Sequence, residues 1–130
     1  MLNTNICIYI RQTRPPEVLA RFKRLSLGQA AHSLVAWSEL HFGAAKSLQA
    51  ERSARQLEEL GALLPVLPLP TAADAVYGQI RAMLEKRGET IGNNDLWIAA
   101  HALCAGLVLG TNNEREFLRV NGLQAKNRAI

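Results

Sequence analysis

The sequence contains few cysteines and no segment that would direct the chain out of the cell. Its two cysteines, Cys7 and Cys104, both lie in apolar surroundings, with no metal-ligand spacing and no companions for a disulfide framework. The N-terminus lacks a basic region and a cleavage site, and its apolar run is too short for a signal peptide or a membrane span. These absences predict a reduced, cytoplasmic protein with no membrane association.

Several familiar catalytic motifs are also absent. The chain has no glycine-rich phosphate loop, no G-x-G-x-x-G motif and no nucleophile elbow, which argues against Rossmann-type nucleotide binding and against nucleophilic catalysis. His32, His41 and His101 are isolated from one another along the chain, and we interpret each as a core or surface residue. Trp37 and Trp97 lie in apolar context, which is typical of packing rather than of stacking on bases.

The composition is that of one folded domain covering residues 1–130. Hydrophobic residues make up 48% of the chain and no low-complexity tract interrupts it, so we expect a substantial core. The formal net charge of +4 allows a polyanionic partner, but a solvated basic surface explains the charge equally well. Charge alone therefore does not identify a partner.

The stretch from Ile91 to Phe117 carries the strongest structural pattern. Gly92 interrupts the preceding segment, and Asn93 or Asn94 is predicted to cap a new helix. Asp95 then falls in the first turn of that helix, where the helix dipole and the unpaired N–H groups favour a carboxylate. We therefore expect Asp95 to stay ionised.

The remainder of this stretch predicts a buried helix followed by a strand. Between Leu96 and Ala105 the only polar residue is His101, a pattern typical of a helix buried on most sides, and Gly106 is placed to end it. The run Leu107–Leu109 is strand-like and leads into the polar cluster Thr111–Phe117. Because ligands bind at the carboxyl ends of strands in open α/β sheets, this cluster is a candidate site.

Short strand-like and helical segments alternate along the rest of the chain. The predicted strands end at Asn3, cover Ala30–Val35 and Pro65–Pro70, and recur near Leu123; the predicted helices begin near Thr4 or Asn5, at Pro15 and at a capping Ser38, and cover Gln49–Leu64 and Thr71–Arg87. The start at Ser38 would put Glu39 in a first turn, as with Asp95. The alternation predicts an α/β fold, a three-layer α/β/α domain with a central, mostly parallel sheet.

Oxygen-bearing side chains follow the predicted strands. The carboxylates are those of Glu39, Asp95 and either Glu114 or Glu116, and the amides beside them are Asn3, Asn5, Asn112 and Asn113. Hard oxygen ligands without a thiolate or histidine cluster suit Mg²⁺ or Mn²⁺, which can polarise a phosphodiester and deliver an activated water. A glutamate in the first turn of a helix more often only stabilises the helix through its dipole than takes part in a site. The acids are also far apart in the sequence, so they form one site only if the fold brings them together.

Four segments of the chain, in this order, resemble the VapC-type toxins of the PIN-domain family. They are MLNTNICIY at residues 1–9, WSELHFG at 37–43, IGNNDLWIAAHAL at 91–103 and TNNEREF at 111–117. The resemblance spans essentially the whole chain. It implies a small α/β/α PIN domain and an endoribonuclease dependent on Mg²⁺ or Mn²⁺ that cuts a structured RNA such as a tRNA or rRNA. It also implies a homodimer that is neutralised by a VapB-type antitoxin.

The resemblance assigns roles to individual positions. By their place in the motifs, Glu39 and Asp95 match acids of the family's metal site, and Glu116 matches the acid of the closing Arg-Glu-Phe motif. The supporting polar positions implied by the resemblance are Thr4, Asn5, Thr111, Asn112 and Asn113, the last falling where many PIN domains have a fourth aspartate.

Asn3 departs from the family pattern. The family opens with Leu-Asp-Thr-Asn, and that aspartate is its central metal ligand, whereas this chain has the neutral amide of Asn3 there. The fold should survive, but the site loses a negative charge and a strong hard ligand. We therefore expect weakened metal binding and little or no cleavage, whether the substitution was made to disarm a toxin or arose naturally.

Two functions follow from these features. The first is a ribonuclease toxin disabled at Asn3; the alternative is a catalytically silent PIN-fold protein that binds antitoxin or RNA without cleavage. Retention of Glu39, Asp95 and Glu116 favours the first, because clustered carboxylates repel one another without a cation. Asn3 favours the second. A DNA-directed nuclease is a weaker third option, because the metal site alone does not select ribose over deoxyribose.

Overall fold

Five helices and four short strands make up the described part of the chain. The computed structural model describes residue 1 and residues 32–63, 65–111 and 114–127, with the backbone alone at residues 63, 126 and 127. The elements are β1 (His32–Ser33), α1 (Leu34–Ala45), α2 (Ala50–Leu63), β2 (Val66–Leu67), α3 (Ala73–Arg87), α4 (Asn93–Ala105), β3 (Leu109–Thr111), α5 (Glu114–Phe117) and β4 (Ala125–Asn127). Within these residues no helix is both long enough and apolar enough to cross a membrane.

The described strands pair in parallel. His32 of β1 lies opposite Val66 of β2, and Leu109 of β3 lies opposite Ala125 of β4. Met1 flanks the other edge of β3: its ammonium group donates to the carbonyl of Val108 at 2.7 Å, and its carbonyl accepts from the N–H of Gly110 at 2.6 Å. This is the hydrogen-bond pattern of a parallel ladder. The predicted α/β fold with a mostly parallel sheet is confirmed.

Helix α4 forms the centre of the hydrophobic core. Ile98, Ala99, Ala100 and Ala102 are completely buried, and α4 packs against both α3 and α1. Three of these four side chains are single methyl groups, so the neighbouring elements can approach the helix closely. The prediction of a helix buried on most sides is confirmed.

The end of α4 is also as predicted, but the strand after it begins later. Gly106 adopts a left-handed conformation with φ 67°. Its N–H donates to the carbonyl of Leu103 at 3.2 Å, and the N–H of Leu107 donates to the carbonyl of Ala102 at 2.9 Å. This is a Schellman motif. Because the motif uses the N–H of Leu107, the strand begins at Leu109, and the prediction of a strand at Leu107–Leu109 is wrong by two residues.

The predictions around Ser38 are wrong. Helix α1 begins at Leu34, directly after the two-residue strand β1, so Val35 is helical and not part of a strand. Ser33 is the N-cap, and its Oγ accepts from the N–H of Val35 at 3.2 Å. Ser38 is one turn inside the helix, and its hydroxyl donates to the carbonyl of Leu34 at 2.8 Å. Two serines with suitable capping chemistry were available, and burial of Ser33 selects the earlier one.

The other predicted elements are present with small shifts. Helix α2 and strand β2 lie within the predicted ranges, and β4 follows Leu123. Helix α3 begins at Ala73 rather than at a capping Thr71, and its N-cap Ala72 has no polar side chain. It ends as predicted, at Gly88 with φ 66°. The predicted strand at Asn3 and the helices near Thr4 and Pro15 lie outside the described residues.

Candidate metal site

Asp95 lies within the electrostatic influence of two glutamates from two other helices. Asp95 lies in the first turn of α4, Glu39 in the second turn of α1, and Glu116 in the short helix α5 after β3. Burial, then the negative charge of Glu116, then that of Glu39 raise the pKa of Asp95 from 3.8 to about 6. Glu39, matched to the family's metal site, and Glu116, matched to the closing Arg-Glu-Phe motif, therefore both act on Asp95 although they are far from it in sequence.

Asp95 reaches its position through an N-terminus that differs from the predicted one. The N-cap is Gly92, and Asn93 is already the first helical residue, so the prediction that Asn93 or Asn94 caps the helix is wrong. A side chain at Gly92 would have its Cβ 3.8 Å from Oδ2 of Asp95, which shows that this carboxylate lies back over the N-cap.

The charge state of Asp95 reflects competing effects. The helix dipole was expected to keep the carboxyl ionised. Burial and the two neighbouring acids outweigh this effect and raise its pKa. With a pKa of about 6 the carboxyl group is still mostly ionised at neutral pH, as predicted. Its pKa nevertheless lies much closer to neutral pH than the helix dipole alone would place it.

Glu39 lies at a different helical position from Asp95. Because α1 begins at Leu34, Glu39 is the sixth residue of the helix, and the predicted parallel with Asp95 as a first-turn acid is wrong. Its neighbours in the chain explain its orientation: Leu40 and Ala36 are buried in the core, and Glu39 is half-buried beside them. Packing of α1, and not its dipole, therefore brings Glu39 toward Asp95.

Strand β3 ends on a buried polar residue, three residues before α5 begins. Thr111, the last residue of β3, is completely buried, and α5 carries Glu116. Glu114 lies in the first turn of α5, but the charge that raises the pKa of Asp95 is that of Glu116. Of the two acids left open by the sequence, Glu116 is therefore the one that interacts with Asp95.

Five predicted site residues cannot be placed relative to these carboxylates. They are Asn3, Thr4, Asn5, Asn112 and Asn113, and they lie outside the described residues.

A buried polar contact joins β1 to α4. Nδ1 of His101 lies 3.0 Å from Oγ of Ser33, and both residues are buried. Burial, followed by the charge of the N-terminal ammonium group, lowers the pKa of His101. His32 is also buried, with its pKa lowered to about 4 by burial, and its ring stacks on Trp37 with centroids 5.0 Å apart. Both histidines are core residues, as predicted.

The pairing of Ser33 with His101 was not predicted. The two residues are 68 positions apart, and neither belongs to a motif that would suggest the contact. The one signal available was that His101 is the only polar residue of a buried helix and so requires a hydrogen-bond partner.

The chemistry of the carboxylates fits a hard divalent cation. Within the part of the chain that the structure describes, no three His, Cys, Asp or Glu side chains are close enough to form a metal site by themselves. Mg²⁺ does not require such a site, because it retains several waters and is commonly held by one or two carboxylates and a substrate phosphate. A cation beside Asp95 would also relieve the repulsion that raises its pKa.

Comparison with known proteins identifies the family. The sequence profile of the PIN domain matches residues 1–123. The chain belongs to the PIN-domain family.

Individual PIN-domain relatives cover nearly the whole chain. Ribonuclease VapC2 of Haemophilus influenzae and the tRNA(fMet)-specific endonuclease VapC of Shigella flexneri are each 42% identical over 127 residues, which is 98% of this chain and 96% of the relative. The predicted resemblance to VapC-type PIN domains is confirmed.

Solved PIN-domain structures agree. The chain superposes on a chain of DNA-bound VapBC from Salmonella typhimurium with a TM-score of 0.93 and 39% identity, covering 99% of this chain and 97% of the other. For VapBC2 of Rickettsia felis bound to a promoter DNA fragment, the TM-score is 0.92 and the identity 34%, with coverages of 98% and 96%. The likeness extends over the full PIN domain in both cases.

Proposed function

We propose that this chain is a VapC-type ribonuclease toxin, a metal-dependent endoribonuclease that hydrolyses RNA. The observation that carries the proposal is that Asp95 is partly buried and lies under the negative charges of Glu116 and Glu39, and that burial first and these two charges second raise its pKa to about 6. Mutual repulsion of this kind is typical of a site that binds a cation. Relatives matching nearly the whole chain are named ribonuclease or endonuclease, which supports RNA as the substrate. An RNA substrate of this kind, tRNA or rRNA, implies action in the cytoplasm.

In this proposal, each residue of the site has a role in binding the metal ion or in supporting it. Asp95, Glu39 and Asn3 would hold Mg²⁺ or Mn²⁺, and the bound ion would polarise the phosphodiester and supply an activated water. Asp95 provides negative charge because it is mostly ionised at neutral pH. Glu116 lowers the local potential further and makes the site more attractive to a cation. Buried Thr111, at the end of β3, precedes α5, which carries Glu116, and is assigned a supporting role by the family resemblance.

Asn3 sets the level of activity in this proposal. An amide in place of the family's aspartate removes one negative charge, so the ion binds more weakly and the chain cleaves RNA slowly or not at all. The fold does not depend on that charge. Asn3→Asp should therefore restore both metal binding and cleavage.

The proposed partner is a VapB-type antitoxin. The solved relatives from Salmonella typhimurium and Rickettsia felis are described as VapBC assemblies bound to DNA, and this chain matches their fold over almost its full length. We infer that this chain likewise pairs with an antitoxin. A homodimer remains our prediction from the family resemblance.

Asn3 specifically favours a second candidate, a silent PIN-fold protein that binds antitoxin or RNA without cleaving. The two candidates are separated by incubating total cellular RNA with the chain and with Asn3→Asp, each with Mg²⁺, with Mn²⁺ and with chelator. We expect cleavage by the aspartate form, in the presence of metal only. Absence of cleavage by both forms would favour the silent protein.

The role of Asp95 is tested in the Asn3→Asp background. Asp95→Ala should reduce cleavage by on the order of 100-fold or more, because it removes a carboxylate that holds the metal ion, whose positive charge stabilises the reacting phosphate. Asp74→Ala is the matched control, since Asp74 is also a first-turn aspartate but lies exposed on α3. Equal losses in both variants, or none in Asp95→Ala, would contradict the assignment.

A further inference from the structure

The hydroxyl group of Tyr77 joins helix α3 to the first turn of α4. It donates a hydrogen bond to Oδ1 of Asn93, the first residue of α4. It accepts one from Nη1 of Arg81 at 2.8 Å, and Nε of Arg81 donates to Oε1 of Glu85 at 3.2 Å. Glu85, Arg81, Tyr77 and Asn93 therefore form a continuous chain of hydrogen bonds, here called the relay. It runs from the C-terminal half of α3 to a residue two positions before Asp95.

The ring of Tyr77 makes a second contact with the same helix. It stacks on Trp97 with the ring centroids 4.0 Å apart and the planes inclined by 14°. Trp97 lies one turn after Asn93, so a single side chain contacts two successive turns of α4. The stacked ring also fixes the direction of the hydroxyl, which reduces the entropy lost when its hydrogen bonds form.

The first turn of α4 requires support from outside. Its N-cap is Gly92, which has no side chain to accept a hydrogen bond from the first N–H groups. A first turn whose N-cap offers no side-chain acceptor tends to fray.

Packing between α3 and α4 is incomplete at this end. A cavity of about 460 Å³ lies beside the relay, with Tyr77, Arg81, Asn93 and Leu96 among its lining residues. Beside this space, the contacts of Tyr77 add to that of buried Leu96 in holding the first turn of α4.

We propose that Tyr77 is a positioning residue, which holds the first turn of α4 through Asn93 and thereby sets the position of the Asp95 carboxylate. This inference rests on the proposed function, in which Asp95 is a metal ligand. It assigns to Tyr77, Arg81 and Asn93 a role in the site although none of them contacts the substrate or the ion.

The experiment compares Tyr77→Phe, Asn93→Ala and the double variant, each alone and in the Asn3→Asp background. Tyr77→Phe keeps the ring stack and removes only the hydroxyl. The control is Asn121→Ala, which removes exposed contacts to the C-terminal half of α3 that do not involve Tyr77 or Asn93: Asn121 accepts from Arg87 at 3.3 Å and donates to Sδ of Met83 at 3.2 Å. Hydrogen exchange of the 95–97 amides and calorimetric titration with Mn²⁺ are the two measurements.

We expect Tyr77→Phe to raise the exchange rate of the 95–97 amides about fivefold, the effect of losing one hydrogen bond, with no change at the 100–104 amides. In the Asn3→Asp background the same variant should weaken Mn²⁺ binding severalfold. The double variant should be no worse than either single one, because both break the same contact. Asn121→Ala should change neither quantity.

Each contrary result has a distinct meaning. An unchanged hydrogen-exchange rate at the 95–97 amides overturns the proposal, whatever the Mn²⁺ affinity of the variant. Raised exchange with unchanged Mn²⁺ affinity also overturns it, because the contact would then be merely structural. If Asn3→Asp itself binds no Mn²⁺, the proposed metal site is wrong and the positioning role falls with it, and the exchange rates then show only whether Tyr77 holds the first turn of α4.

Discussion

Helices α4 and α1 both carry an acid of the candidate site, but they are held in place by different means. Helix α4 is surrounded by the core, with Ile98 and three alanines completely buried. Helix α1 buries only one side and leaves Leu34 and Phe42 largely exposed, the latter by 65%. Asp95 therefore lies on a helix whose middle is fixed in the core, although its first turn lies at the edge of that core. Glu39 lies on a helix that packs through one side only.

The difference shows why one helix was predicted correctly and the other was not. In α4 every local signal agrees: a glycine before it, a long apolar run and a glycine after it. In α1 two serines compete for the N-cap, and the apolar residues between them fit a strand as well as a helix. Burial of Ser33 against His101 resolves that ambiguity.

The largest effect should come from removing core volume in α4. Ile98→Ala should lower the free energy of unfolding by about 3 kcal/mol, because it creates a cavity where no solvent reaches. Leu34→Ala on α1, where the side chain is 44% exposed, should change it by less than about 0.5 kcal/mol. Urea unfolding measures both. Comparable losses would mean that the two helices are not held differently.

The next largest effect tests which serine starts α1. Ser33→Ala should cost about 2 kcal/mol in the free energy of unfolding, because it removes both the N-cap of α1 and the partner of His101. Ser38→Ala, the matched control on the same helix, should stay within about 0.5 kcal/mol. A larger loss of stability for Ser38→Ala than for Ser33→Ala would instead support a helix that begins at Ser38.

The smallest effect concerns the pH dependence of stability. Because the pKa of Asp95 is about 6 when folded and 3.8 in its ordinary state, the folded protein binds the proton more tightly. The stability from this group is present below pH 3.8 and is lost as the pH rises through 6. A shift of this size has a ceiling of about 3 kcal/mol, which solvent screening of a half-buried group reduces to about 1–2 kcal/mol.

Asp95→Asn should therefore be more stable than the parent by about 1–2 kcal/mol at pH 7.5 in chelator, and the gain should vanish near pH 4. Urea unfolding across that pH range is the measurement. Asp74→Asn, at the exposed first-turn aspartate of α3, is the control. A gain for Asp95→Asn that did not depend on pH would show that electrostatic repulsion is not its cause.

The fold class and most elements could be predicted because their signals are local. Periodic apolar residues identified α2, α3 and α4, and Gly88 and Gly106 ended two of them, since only a residue that tolerates positive φ closes a helix in this way. Where the signal depended on N-caps, the predicted cap was wrong by one to five residues. The N-cap of α4 is Gly92 and not the predicted Asn93, and the N-cap of α3 is Ala72 and not the predicted Thr71. Neither Gly92 nor Ala72 has a side chain that could accept a hydrogen bond.

The amino-acid sequence by itself determined which chemistry is available, namely carboxylates and amides suited to a hard cation, and the family to which the chain belongs. It also determined that α4 must be buried, because its residues leave no polar face. Only the tertiary structure decided that Glu116 and Glu39 act on Asp95 and that Tyr77 reaches Asn93. These pairs lie 16 or more residues apart in the chain, so their contact depends on how helices pack, and no local pattern encodes that.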